Sequence, residues 1–287
     1  MEKKIQDTYK KMDELIVYSR FIYIMAIIGF FVIFSLLWGR PFSQAIYINN
    51  ERVYFGGWIT MHAPCVFLTI ILLWFFVFVW QHYTTKKQLL FFSSLLSEHC
   101  DVTQCLAYTT YGIEYGKQLL STTGKKSAAT KNTLGFFENL HMVALSTANR
   151  YEEAIAYCDY EWTSKKQKIT TTNYMLIKLK LAYINNDTIA YQTMYENVYP
   201  RYKYKNMLKA RKAMFEGKYE DALHLFLQEQ TKNILDQVTM HYHIACCYKE
   251  LDLLSEAKSH YEFVREHGNT LPIKDHALKE LHALYGE

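Results

Sequence analysis

Two uncharged apolar runs near the N-terminus constrain this chain more than any other feature. Residues 21–38 read FIYIMAIIGFFVIFSLLW, and residues 58–81 enclose LTIILLWFFVFVW, neither with a Lys, Arg, Asp or Glu. About 20 helical residues cross a ~30 Å hydrocarbon core, so both runs are expected to be transmembrane helices. Trp58 and Trp80 mark the two ends of the second run, where indole rings favour the membrane interface. Pro64 falls in its first turns, where a missing N–H is tolerated. Apolar residues on every face argue against two buried helices of a soluble protein. A cleaved signal peptide fits poorly, because a tail carrying both acids and bases precedes the first run and no small-residue cleavage site follows it.

Basic residues near the spans set the orientation. The tail holds Lys3, Lys4, Lys10, Lys11 and Arg20, the connecting loop only Arg40 and Arg52, and Lys86 and Lys87 follow the second run. The expected order is a cytoplasmic tail (1–20), a first span (21–38), a short outer hairpin loop (39–57), a second span (58–81) and a cytoplasmic domain (82–287). AIYI, Asn49–Asn50 and ERVYF supply the hairpin: β-branched and aromatic flanks around residues that tolerate positive φ. Ile5, Tyr9, Met12 and Ile16 recur at helical spacing in the tail, which either lies on the membrane or extends the first span. Usage rich in Lys, Tyr, Ile and Asn points to an AT-rich bacterial genome, hence to a bacterial cell membrane.

The segment beyond the spans is nearly neutral, with 25 basic and 23 acidic residues over 84–287, so nucleic acid is not an expected partner. Its cysteines form no C-x-x-C pair and read as small core residues of a reducing compartment. Amphipathic helices follow one another with short breaks. HIACCYKEL at 243–251 precedes SEAKSHYEFV at 255–264, placing small Ala245 and Ala257 beside large Tyr248, Tyr261 and Val264. GKYEDALHLF at 217–226 carries Ala222 and Phe226, with Ala210 and Ala213 before it, and NRYEEAIAYC at 149–158 repeats the phrase around Ala154. Fainter pairs cover 172–198 around Ala190 and 86–120 around Ala107. The alanines at 107, 154, 190, 222 and 257 are 47, 36, 32 and 35 residues apart. This spacing resembles the tetratricopeptide repeat, whose period is about 34 residues. The first helices depart from that family in lacking its usual Trp and Leu-Gly. Residues 121–131 read as an inserted loop and 272–286 as a capping helix.

The resemblance implies an all-α chain: two transmembrane helices, then an α-solenoid of about five helix pairs whose first helices line a concave, partner-binding groove. Aligned on the alanines, the groove positions are Asn139, Val143, Met175, Leu179, Met207, Arg211, Tyr242 and Cys246. Arg211 is their only cation, so an apolar or amphipathic protein segment is the expected partner, and this chain's own tail is a candidate.

Other chemistry is sparse. His241, His243, Cys246 and Cys247 are the only metal-like cluster, with His243 and Cys247 on one helix face, but four convergent ligands are not in evidence. A basic run containing Lys205, Lys209 and Lys212 among tyrosines offers a face for phosphate or anionic lipid, although such runs are usually solvated. No phosphate loop, nucleophile elbow or zinc-protease motif occurs. The expectation is therefore a scaffold at the cytoplasmic membrane face, with no enzyme activity, cofactor or metal. The alternative is a sensor that relays a signal from the spans to the array.

Overall fold

The computed structural model describes residues 2–38, 46–48, 51–53, 57–122, 128–161 and 168–286, with the side chains of 30–70 outside the description. The described residues form twelve α-helices and one two-stranded hairpin. α1 (Glu2–Trp38) leads to β1 (Ile46–Ile48) and β2 (Glu51–Val53), antiparallel with Ile46 opposite Val53. α2 (Gly57–Ser97), α3 (Val102–Thr122), α4 (Ala128–Thr147) and α5 (Tyr151–Ala156) follow, and α5 passes into a π-helical turn at Tyr157–Glu161. The remainder is α6 (Lys168–Ile184), α7 (Thr188–Val198), α8 (Lys205–Phe215), α9 (Tyr219–Leu227), α10 (Ile234–Glu250), α11 (Leu254–His267) and α12 (Pro272–Tyr285). Successive helices pack side by side, which gives the chain the character of a helical solenoid. Among the described residues no helix is long and apolar enough to cross a membrane. The two expected spans fall largely on side chains outside the description, as does the hairpin turn at Asn49–Asn50.

One turn recurs through the array. Asn149, Asn186, Gly217 and Asp252 all have left-handed φ, between +52° and +73°. After each, a backbone N–H reaches back five residues to the preceding helix: Arg150 to Leu145, Asp187 to Ala182, Lys218 to Ala213 and Leu253 to Tyr248, at 2.9–3.0 Å. This closes the helix C-terminus by satisfying a carbonyl that the helix itself leaves free. Asn and Gly occupy the turn because they reach positive φ at low cost. The residue five positions beyond the left-handed one is buried each time: Ala154, Tyr191, Ala222 and Ala257. Cys100 (φ +50°) heads the first turn, and Cys105 is buried five residues on.

That register corrects two packing positions expected from sequence. Ala154, Ala222, Ala245, Ala257 and Tyr261 are fully buried. Ala107 is exposed, because Cys105 holds the small-residue place in α3. Ala190 is half-buried, because Tyr191 turns inward and stacks on Phe215 at 4.3 Å between centroids.

α1 runs unbroken from Glu2, so the tail extends the helix and joins the array. Ile5, Thr8 and Tyr9 are completely enclosed against α3 and α4. The Tyr9 hydroxyl donates to the Gly112 carbonyl at 2.8 Å, and its ring lies 5.8 Å from Phe137. Gly112 and Gly116 give α1 its seat: a methyl group at Gly112 would press on Phe137 at 2.8 Å, and one at Gly116 would strike Tyr9. α3 and α4 are long because they build this cradle. Most of the supposed loop over 121–131 is helix end, with 123–127 outside the description.

The array also closes on itself. The corner between α11 and α12 meets the corner between α2 and α3. Thr270 Oγ1 accepts from the Val102 N–H at 2.8 Å and so caps α3 from a distance in sequence. Asn269 Nδ2 donates to the His99 carbonyl at 2.8 Å, and the Thr270 N–H to the Cys100 carbonyl at 3.3 Å. Phe92, Leu95 and Cys100 share one core with Val238, Val264 and Leu271.

Candidate functional site

Ring closure leaves a cavity of about 790 Å³ on the concave side. α4 contributes Val143 and Ser146, α6 contributes Asn173, Leu176 and Lys180, α8 contributes Met207, Arg211 and Met214, and α10 contributes Asp236, Tyr242 and His243. Tyr151, Tyr183, Tyr191 and Tyr202 complete the wall. On α8 the lining residues recur at i, i+4 and i+7, the inner face of a helix.

Of the groove positions expected from sequence, Val143, Leu179, Met207, Arg211 and Tyr242 line this cavity. Asn139, Met175 and Cys246 do not. Asn139 accepts from Asn173 Nδ2 at 3.1 Å, Met175 packs in the cluster around α7, and Cys246 lies 3.8 Å from the Tyr261 hydroxyl. Lys180, Asp236, His243 and the four wall tyrosines join them in the lining.

The cavity is mostly apolar but holds two cations. Lys180 is half-buried, and its ammonium lies 3.4 Å from the Ser146 hydroxyl and 5.8 Å from the centre of the Tyr151 ring. Burial, then the neighbouring Arg211 guanidinium, pulls its pKa down to about 7 against a partial counter-effect from Asp236. Arg211 Nε is enclosed without a hydrogen-bond partner. Tyr191 is only 3% exposed, and its hydroxyl is also unpartnered. His243 stacks on Phe226 and is held neutral by burial first, then by Arg211 and Lys180. Three acids also line the cavity: Asp236 accepts from Asn233 Nδ2 at 2.9 Å, Glu153 is bound by Arg150, and Glu152 is exposed at the rim.

The metal-like cluster of the sequence does not converge. His243 faces the cavity, His241 pairs with His260 at 2.9 Å between Nδ1 atoms, and Cys247 packs in the core beside α8 and α9. Burial pushes His241 down to about 4 and Cys247 up to about 12. Among the described residues no group of three or more His, Cys, Asp or Glu could hold a metal ion. The basic face is taken up locally: Lys205 and Lys209 lie 5.4 and 5.8 Å from the Tyr199 ring, and Lys212 lies 4.8 Å from Tyr195.

No protein family model matches this chain, and neither does any curated protein or solved structure.

Proposed function

We propose that this chain is a membrane-anchored, tetratricopeptide-like scaffold that binds a segment of a partner protein at the cytoplasmic membrane face. The observation that carries this reading is the concave cavity: Met207, Met214 and five tyrosines from several elements line it, an adaptable surface of the kind that accepts a peptide side chain or short segment. The mechanism is recognition and raised local concentration, without bond chemistry.

Membrane anchoring is supported by the two long helices. α1 and α2 pack together through Tyr18, Phe21 and Trp74, with ring centroids 5.3 and 4.3 Å apart. Described residues facing away from that contact stay apolar in the open: on α2 Leu73, Phe76 and Trp80 are 61%, 70% and 69% exposed, with Leu72, Phe75, Val77 and Val79 exposed beside them, and on α1 Val17, Ile24 and Ile27 are exposed. An apolar stretch exposed in this way suits lipid better than water. At ~1.5 Å per residue, helices of 37 and 41 residues exceed a bilayer and continue into the array.

The relay reading keeps one specific support. α1 and α2 run without a break from the apolar stretch into the core that contains Tyr9 and Phe92.

Photo-crosslinkers placed at Met207 and Tyr242 in native membranes test the scaffold. Capture of one defined protein from both sites, lost when the same residues are Asp and the helicity is unchanged, is the expected result. Capture that survives the Asp substitutions and depends on Lys205, Lys209 and Lys212 would move binding to the basic face.

A further inference from the structure

We propose that the cavity is also a binding site for a small organic anion, a carboxylate or phosphate on an apolar or aromatic body, with Lys180 and Arg211 gripping the charged end. This goes beyond the scaffold reading and does not depend on it.

Four observations point the same way. Lys180 and Arg211 reach the cavity from neighbouring first helices, α6 and α8, and no carboxylate among the described residues forms an ion pair with either. A buried guanidinium nitrogen without a partner forfeits the hydration it had in the unfolded chain, a cost that an incoming acceptor would remove. The enclosed Tyr191 hydroxyl is a third free donor on the same wall. Finally, the volume falls within the range of small-ligand sites, and Leu176, Leu179, Met207, Met214 and the tyrosines give the wall apolar and aromatic surface to cover an apolar body while a few polar groups fix its direction.

An anion is favoured over a neutral polar molecule because Lys180 and Arg211 lie inward of the exposed rim acids Glu152 and Glu153, and Asp236 is already held by Asn233. Asp236 is the one acid that bears on Lys180, and its effect is smaller than that of Arg211. Two like charges held close in a low-dielectric space repel each other until a negative group lies between them. Arg211 supplies a planar fork suited to a two-oxygen acceptor, and Lys180 supplies a compact point charge beside it.

Isothermal titration calorimetry on the full chain in phosphatidylcholine nanodiscs tests this. The probes are benzoate and phenyl phosphate, neutral benzyl alcohol, and the acidic tripeptide acetyl-Phe-Glu-Phe-amide. One saturable site per chain is expected for at least one of the two small anions, with no saturable heat from benzyl alcohol. Lys180→Met and Arg211→Met should each weaken that anion at least about tenfold, as loss of a charge-assisted hydrogen bond implies. Both variants should keep the wild-type circular dichroism and melt no lower than wild type, which separates lost binding from lost folding. The proposal is overturned if neither small anion binds, if benzyl alcohol binds as tightly, or if the two folded variants bind unchanged. Tripeptide binding without either small anion overturns it too, and leaves the scaffold reading standing.

Discussion

Lys180 is a residue whose burial opposes folding. Its folded pKa is about 7 against an ordinary 10.5. Below about pH 7 the ammonium is present in folded and unfolded chains alike, and the desolvation cost is felt in full. Between those two values only the unfolded chain keeps the proton, so this group makes stability rise with pH, by at most about 1.4 kcal/mol per unit. Lys180→Met should therefore melt above wild type at pH 6–7, with the gap narrowing toward pH 9; thermal unfolding at several pH values reads it directly. A constant gap would mean that the ammonium is well solvated. The same residue shows why the alanine spacing misplaces part of the groove. Ala190 anchors the expected register, whereas the equivalent buried place is Tyr191, five residues past left-handed Asn186. Counting from Tyr191 shifts Met175 and Leu179 to Leu176 and Lys180, both of which line the cavity. On α8 the anchor Ala222 was right, and Met207 and Arg211 were found.

At the scale of elements, α1 is the one whose role differs most from its sequence. Its spacing of Ile5 and Tyr9 announced an apolar stripe, but no single-chain pattern says which partner will cover it. The cover comes from α4, with Phe137, and from a pair of glycines on α3, residues that carry no hydrophobic signal at all. Tyr9→Ala should cost about 3 kcal/mol or more, from lost ring packing and the lost hydrogen bond to Gly112. Gly116→Ala should cost about 1–3 kcal/mol by forcing Tyr9 from its seat. Gln6→Ala, on the exposed side, should change little. Unfolding monitored by helical circular dichroism in detergent ranks the three, and equal effects would mean that α1 is not seated as described. A fragment beginning at residue 86 lacks this helix and should bind a hydrophobic dye more strongly than the full chain. The tight turns were more legible, since Asn-Arg-Tyr-Glu and Gly-Lys-Tyr-Glu state their geometry through residues that tolerate positive φ.

For the whole molecule, the proposed membrane anchoring carries an orientation that direct measurement can read. A cysteine introduced at Asn49 should react with an impermeant maleimide in intact cells, and one at Ser127 should not; the reverse would place the array outside. The closing contact allows a second measurement. Thr270→Val removes the acceptor that caps α3, and a loss of about 1 kcal/mol is expected, with faster hydrogen exchange at the Val102 and Thr103 amides. Unchanged exchange there would mean that the ring holds without this bond. An open stack of repeats can be read as a sum of neighbouring terms. Here the two sides of the closure lie about 170 residues apart. A ribosome adding roughly 5–20 residues per second needs on the order of 10–30 s to make that stretch. Throughout that time the corner at Cys100 waits without its cap, and the apolar side chains beside it lack their last partners. Newly made chains therefore depend on whatever shields that corner in the cell until residues 269–271 emerge.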